Sequence, residues 1–160
     1  MDYLIFSDSH GDYITMLKII EKRHPKGVIF LGDCVRDIEK VKVTVPNIDY
    51  KIIRGNNDYY VNYPDEEIIF LSDTRIFLCH GHKQRVKLGN TYITDYCIKK
   101  HCDMVFFGHT HKPLCEYNNG VLLFNPGSIG YPYMGEKTYG ILSLNKGENG
   151  VKTSIQTIKD

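Results

Sequence analysis

The chain has no surplus of charge of either sign. Its 20 lysines and arginines face 19 aspartates and glutamates, a formal +1 with seven histidines counted neutral. A nucleic-acid-binding surface needs concentrated basic residues, so this balance argues against nucleic acid as a partner. A long hydrophobic run is also missing. No apolar stretch approaches the about 18 residues that span a bilayer, and the start, Met1-Asp2-Tyr3-Leu4-Ile5-Phe6-Ser7, lacks the features of a secretory signal. A cytoplasmic protein with no membrane partner is the expectation. There is no Cys-x-x-Cys pair among Cys34, Cys79, Cys97, Cys102 and Cys115, so neither a disulfide framework nor a zinc ribbon is indicated, and reduced thiols are expected. With only six prolines, 42% hydrophobic and 24% charged residues, the composition is neither disordered nor fibrous. The length suits a single domain, residues 1–160, able to bury about 70% of its unfolded surface.

What the chain has in excess is histidine, with five of its seven packed into three short stretches. Apolar runs precede these stretches. Tyr3 to Phe6 leads into Ser7-Asp8-Ser9-His10, Val28 to Leu31 into Gly32-Asp33, and Ile52-Ile53 into Arg54-Gly55-Asn56. Ile76 to Cys79 leads into His80-Gly81-His82, and Met104 to Phe107 into Gly108-His109-Thr110-His111. Short apolar runs rich in β-branched and aromatic residues and bounded by glycine predict strands covered on both faces.

Asp12 is a reasonable N-cap for a helix carrying Tyr13, Ile14, Met16, Leu17, Ile19 and Ile20, ended by Pro25-Lys26-Gly27. Val35, Ile38 and Val41 predict a second, shorter helix, and Tyr92, Ile93, Tyr96 and Cys97 after Asn90 a third, ending near Lys99-Lys100. Helices on both faces of a sheet follow from this order. Antiparallel strands are expected for Glu67–Leu71 with Arg75–Cys79, and for Leu114–Tyr117 with Val121–Phe124 across Asn118-Asn119-Gly120. Thr138–Leu144 and Val151–Ile158 are expected to pair through a turn over Lys146–Gly150.

In open α/β sheets, functional groups gather beyond the carboxyl ends of the strands. Asp8, His10, Asp33, Asn56, His80, His109 and His111 would then converge. That is too many nitrogen and oxygen donors for one ion and suits two divalent ions sharing a carboxylate. Two ions roughly 3.5–4 Å apart can hold a bridging hydroxide and clamp an in-line phosphoryl displacement. For His109 and His111, two imidazoles after a strand-end glycine have no packing rationale. His24 and His101 each follow a Lys-rich helix end and read as structural cations.

In order, Asp8-Ser9-His10, Gly32-Asp33, Gly55-Asn56-Asn57-Asp58, His80-Gly81-His82, Gly108-His109-Thr110-His111 and Asn125-Pro126-Gly127-Ser128 resemble the signature of the calcineurin-like metallophosphoesterases. The resemblance covers residues 7–128 and is nearest to the small, single-domain YfcE-like phosphodiesterases. It implies an α/β fold, a four-layer α-β-β-α sandwich of two mixed sheets. It further implies that Asp8, His10 and His111 hold one ion, that Asn56, His80 and His109 hold another, and that Asp33 bridges them. Manganese is the leading expectation for the two divalent ions, with iron, nickel or zinc as alternatives; mixed oxygen and nitrogen donors do not favour calcium.

Where many phosphomonoesterases of the superfamily have Gly-Asn-His, this chain has Asn57. An amide is no general acid near neutral pH, so phosphodiesters and aryl phosphates are expected substrates ahead of alkyl monoesters. His82, two residues past His80, is a candidate for substrate contact or for the missing proton donor, against a supporting hydrogen bond as the alternative. A Pro-Arg pair of the family is replaced by Gly130-Tyr131-Pro132-Tyr133. Arg54 could take the role of the lost phosphate clamp or form a structural ion pair. Asp58 could orient a ligand or form an ordinary turn, and Tyr59, Tyr60, Tyr63, Tyr131 and Tyr133 could line a substrate pocket. The function expected is a phosphodiesterase acting on small diesters through a metal-bridging hydroxide. The alternatives are a catalytically silent scaffold of the same fold, as the retromer subunit of the superfamily is, or a nuclease. A homo-oligomer is compatible with the sequence. Two divalent ions add four charges and a hydroxide removes one, carrying the formal +1 to +4.

Overall fold

The computed structural model describes residues 2–144 and 150–159, so most of the turn expected over Lys146–Gly150 lies outside the described residues. The first half of the chain alternates: β1 (Asp2–Phe6), α1 (Tyr13–Arg23), β2 (Gly27–Phe30), α2 (Val35–Thr44) and β3 (Asp49–Ile52). There follow β4 (Glu66–Leu71), β5 (Thr74–Cys79), a 3-10 turn at Val86–Leu88 and α3 (Thr91–Lys99). The chain continues with β6 (Met104–Phe106), β7 (Pro113–Asn118), β8 (Val121–Pro126), β9 (Thr138–Leu144) and β10 (Val151–Thr157). The strands form two five-stranded mixed sheets, ordered β10-β9-β1-β2-β3 and β4-β5-β6-β8-β7.

Side-chain alternation explains the layering. Along β1 and β2, Leu4, Phe6, Val28 and Phe30 face α1 and α2, where they pack with Met16, Ile20, Val35, Ile38 and Val41. The intervening Ile5 and Ile29 turn the other way and meet Ile76, Leu78, Phe106 and Phe124 of the second sheet. That sheet's remaining face, Phe77, Val105 and Leu123, is covered by Ile93 and Cys97 of α3. Both faces of every central strand are therefore buried, and their continuously apolar sequences follow. The expectation of helices on both faces of one sheet is corrected here: each sheet carries helices on its outer face only, and the inner faces pack on one another. Hydrophobic runs betray double-sided burial without telling whether a helix or a second sheet supplies the cover.

Local signals set the boundaries. Asp12 caps α1 by accepting from Thr15 N at 3.1 Å, and His24 closes it in the left-handed region. Asn119 and Gly120, at φ 49° and 81°, turn β7 into antiparallel β8. For function the decisive feature is direction. β1, β2 and β3 run parallel, and so do β5, β6 and β8.

Candidate metal centre

All the expected strand-end motifs meet along one edge of the two sheets. Asp8 follows β1, Asp33 follows β2, Asn56 lies beyond β3, His80 directly follows β5, and His109 and His111 follow β6. The chain turns sharply at each exit. Asp8, His10, Asp33, His109 and His111 all have positive φ, from 43° to 66°, a conformation that costs a non-glycine residue on the order of 1–3 kcal/mol. Backbone bonds between loops hold these turns: Asp8 N donates to Gly32 O at 3.0 Å, and Gly108 N to His80 O at 3.0 Å.

Two glycines let neighbouring strand ends close up. A Cβ on Gly55 would strike the Asp33 carboxylate and lie 2.6 Å from Asp33 N. One on Gly108 would strike Ser7 Oγ and lie 2.7 Å from Asp8 Oδ2.

The donors form two overlapping groups, Asp8-His10-His111 and Asp8-Asp33-His80, with the ligand atoms of each within 4.8 Å of one another. Asp8 Oδ1 lies 3.1 Å from His111 Nε2 and 3.9 Å from His80 Nε2, while Asp33 Oδ1 lies 3.4 Å from His80 Nε2. The His109 ring sits 5.0 Å from that of His80, and the Nε2 atoms of His10 and His111 are 3.4 Å apart. His80 Nδ1 lies 2.8 Å from the Leu31 carbonyl and His111 Nδ1 2.5 Å from that of Tyr131. In both rings the carbonyl fixes a proton on Nδ1, so that in the neutral ring the lone pair sits on Nε2, aimed into the cluster.

Three buried atoms of the group, Asp8 Oδ1, Asn56 Oδ1 and His80 Nε2, have no hydrogen-bond partner among the described residues. Orphans of this kind are rare because each costs about 1–3 kcal/mol. Protonation responds to the same crowding. Burial works against charge on His80, yet the Asp33 carboxylate 3.4 Å away and the charges of Asp8 and Asp33 prevail and raise its pKa. The Asp8 carboxylate, 3.1 Å from its Nε2, likewise raises His111 against its burial. Burial, together with the charges of His80 and Lys87, pushes His109 down to about 4, so its imidazole is neutral. Burial alone would raise Asp33, but the close His80 ring and its charge, with hydrogen bonds from Asn57, hold it well below the usual carboxylate range.

The two side chains singled out for catalysis sit differently. Asn57 points its amide at Asp33: Nδ2 donates to Oδ2 at 2.7 Å and the backbone N to Oδ1 at 3.0 Å. It fixes the carboxylate as a positioning residue. The His82 ring lies 5.5 Å from that of His80 and 6.1 Å from that of His109. Its pKa is lowered by burial and by the neighbouring His80 and Lys83 charges, and it does not line the cleft. Of the two roles open to Arg54, the ion pair is the one adopted: Nε and a terminal nitrogen meet the two Asp65 oxygens at 2.8 and 3.0 Å. Asp58 is a buried organiser, accepting from Asp33 N, Gly55 N and Val35 N at 2.7–2.8 Å. Tyr131 stands edge-on to His10 and His111, Tyr133 lines the adjoining cavity, Tyr63 packs on the α1–α2 core, and Tyr59 and Tyr60 are exposed.

Sequence reasoning missed Asp37 and Lys87. Asp37, buried in the first turn of α2, accepts from Ser9 Oγ and Gly11 N at 2.8 and 2.7 Å and braces the His10 loop. Nothing separates it in sequence from a helix-start aspartate. Lys87 belongs to the short 3-10 turn and overlooks the cluster. The cluster opens into a cleft of about 400 Å³, lined by His10, Asp33, Asn56, His109 and His111. Lys87, His109 and His111 also border a second cavity of about 650 Å³. Among the described residues no helix is long and apolar enough to cross a membrane.

Residues 1–147 match the family model of the calcineurin-like phosphoesterase superfamily domain. A probable metallophosphoesterase, YsnB of Bacillus subtilis, is 31% identical over 146 residues, covering 90% of this chain and 85% of its own. The phosphodiesterase MJ0936 of Methanocaldococcus jannaschii is 32% identical over 164 residues, covering 90% and 93%. The phosphodiesterase YfcE of Escherichia coli is 26% identical over 171 residues, covering 89% and 87%. A solved structure of a single mutant of Vps29 from Entamoeba histolytica superposes with a TM-score of 0.77 at 19% identity, over 99% of this chain and 100% of that one.

Proposed function

The chain belongs to the calcineurin-like phosphoesterase superfamily, and from that premise we propose that it is a divalent-metal-dependent phosphodiesterase of small diesters with a dinuclear centre. The observation that carries the reading is the set of orphaned buried atoms, Asp8 Oδ1, Asn56 Oδ1 and His80 Nε2, facing one cluster. Two carboxylates share this buried space with an amide oxygen and with the imidazole of His109, which its surroundings keep neutral, and the raised pKa values of His80 and His111 show that the carboxylates draw positive charge to the cluster. Divalent ions fit that demand.

On this proposal Asp8, His10 and His111 would hold one ion and Asn56, His80 and His109 the other, with Asp33 shared between them. Bound ions supply Lewis-acid stabilisation of the phosphoryl oxygens and acidify a water for attack. The chain's own groups do the arranging. Asn57 aligns the Asp33 carboxylate, Asp58 fixes the backbone at Asp33 and Gly55, and the Leu31 and Tyr131 carbonyls set the tautomers of His80 and His111. With the Asn57 amide given to Asp33 and no imidazole at that position, assistance to a basic leaving group is weak. Diesters and aryl esters are accordingly preferred over alkyl monoesters.

The test is metal analysis of the purified protein, followed by hydrolysis of bis(p-nitrophenyl) phosphate with and without chelator across manganese, iron, nickel and zinc. Bound divalent metal and chelator-sensitive turnover are expected, with manganese the most effective. A protein that binds no metal and is inert with every ion defeats the reading and leaves the scaffold alternative.

A further inference from the structure

The larger of the two cavities is not needed to hold ions, and its chemistry is unlike that of the cleft it joins. Its floor is apolar, formed by Val86, Phe107, Pro113 and Leu114, with Val86 and Phe107 only 4% and 1% exposed. Its rim carries Lys87 and Lys112, and among the described residues no acidic side chain lines it. Lys112 holds its ammonium 3.9 Å over the Tyr133 ring, so lysine and aromatic ring stand together at the mouth. Lys87 borders both cavities and, among the described residues, pairs with no carboxylate; its charge reaches His109 and His111. At about 650 Å³ the space is that of an ordinary small-ligand site.

Resting on the phosphodiesterase reading above, we propose that this cavity receives the second arm of the substrate, and that the arm is a nucleotide: a planar base on the apolar floor beside Tyr133, carrying a further phosphate that meets Lys112. Lys87 borders both cavities, where it contacts the scissile phosphate. The preferred substrates are then nucleotidyl diesters with an extra terminal phosphate. An uncharged or aliphatic arm leaves Lys112 without a phosphate and gains only the floor. A lysine–phosphate contact at a half-exposed site corresponds to about five- to tenfold in affinity.

The experiment compares the dinucleotide TpT with its 5′-phosphorylated form, pTpT, in the metal-loaded protein, and titrates thymidine 3′,5′-bisphosphate against thymidine by calorimetry. The wild type is expected to show a KM for pTpT about fivefold below that for TpT and to bind the bisphosphate but not the nucleoside. K112A removes that difference in KM, whereas K18A, on the exposed face of α1, preserves it. K87A weakens bisphosphate binding and slows both dinucleotides. Turnover of both dinucleotides at equal KM, with bisphosphate binding indifferent to K112A, overturns the proposal and leaves the phosphodiesterase standing. Lysine-dependent bisphosphate binding without hydrolysis of any diester keeps the nucleotide pocket and overturns the catalytic reading instead.

Discussion

At the scale of single residues, the centre is assembled by side chains that never reach into the cleft. Asp58 is the clearest case. Its two oxygens satisfy three backbone N–H groups, those of Asp33, Gly55 and Val35, and so tie the loops after β2 and β3 to the start of α2. Removing the carboxylate strands these donors at a buried position. D58A is expected to lose about 3 kcal/mol or more of unfolding free energy in urea titration, and D58N less, because its one carbonyl oxygen still accepts. Metal affinity should fall by about 10–100-fold with D58A even where the protein remains folded; unchanged stability and affinity would deny Asp58 this role. A contrasting effect is expected at His10, which is exposed and held at φ 43°. Glycine relieves the left-handed strain at the cost of some backbone entropy, so metal-free H10G should match the wild type in thermal stability or exceed it by up to about 1 kcal/mol. Its metal binding should drop. The residues that gather at this edge were legible in sequence because each lies just beyond a strand signal, most of them after a glycine or serine, as His109 follows Gly108, while His80 follows Cys79 and His111 follows Thr110. Asp37 was not, since a buried helix-start aspartate and an exposed one look alike until the Ser9 and Gly11 partners are known.

At the scale of elements, the site depends on the ends of two sheets closing until the backbone of one meets the side chains of the other. Gly108, leaving β6 of the second sheet, lies against Ser7 and Asp8, leaving β1 of the first. Helix and strand positions were readable from apolar runs, caps and the Asn119-Gly120 turn. Which sheet each strand joined was not, because β9 inserts beside β1 from the far end of the chain and such long-range pairing leaves no local signature. The contact at Gly108 is therefore invisible in sequence except as a glycine before a histidine. It has a direct test. In G108A the new methyl collides with Ser7 Oγ and Asp8 Oδ2, so stability should fall by about 1–3 kcal/mol and metal binding should suffer through Asp8. G120A, at a solvent-facing hairpin turn with open space around its Cβ, pays only for the φ of 81° and should keep its metal affinity. Equal losses of affinity in the two variants would mean that the close approach is not what positions Asp8.

At the scale of the whole molecule, the two sheets share an apolar interface, but along the functional edge the contact is polar. Arg54 beyond β3 and Lys83 beyond β5 both grip Asp65, the latter at 2.7 Å, and hold the Asp65 carboxyl down to about 2. A carboxylate whose folded pKa is depressed contributes stability above its ordinary value of 3.8, and the contribution is lost as pH falls through about 2. D65N should therefore be less stable than the wild type at neutral pH, and the gap should close over that acid window in unfolding titrations. The proposed ions would make a stronger link of the same kind. Asp8, His10, Asp33 and Asn56 come from the first sheet and its loops, whereas His80, His109 and His111 come from the second, so each ion would draw donors from both. Binding confined to the native state stabilises it by about 2.7 kcal/mol at a hundredfold excess of free ion over Kd. Because the donors straddle the sandwich, that gain should reach both halves: hydrogen exchange should slow together in the loops after β1 and β2 and in those after β5 and β6, and chelator should reverse both. Protection in only one sheet's loops would mean that the ions bind without bridging the sheets, and would reassign the donors to two independent sites.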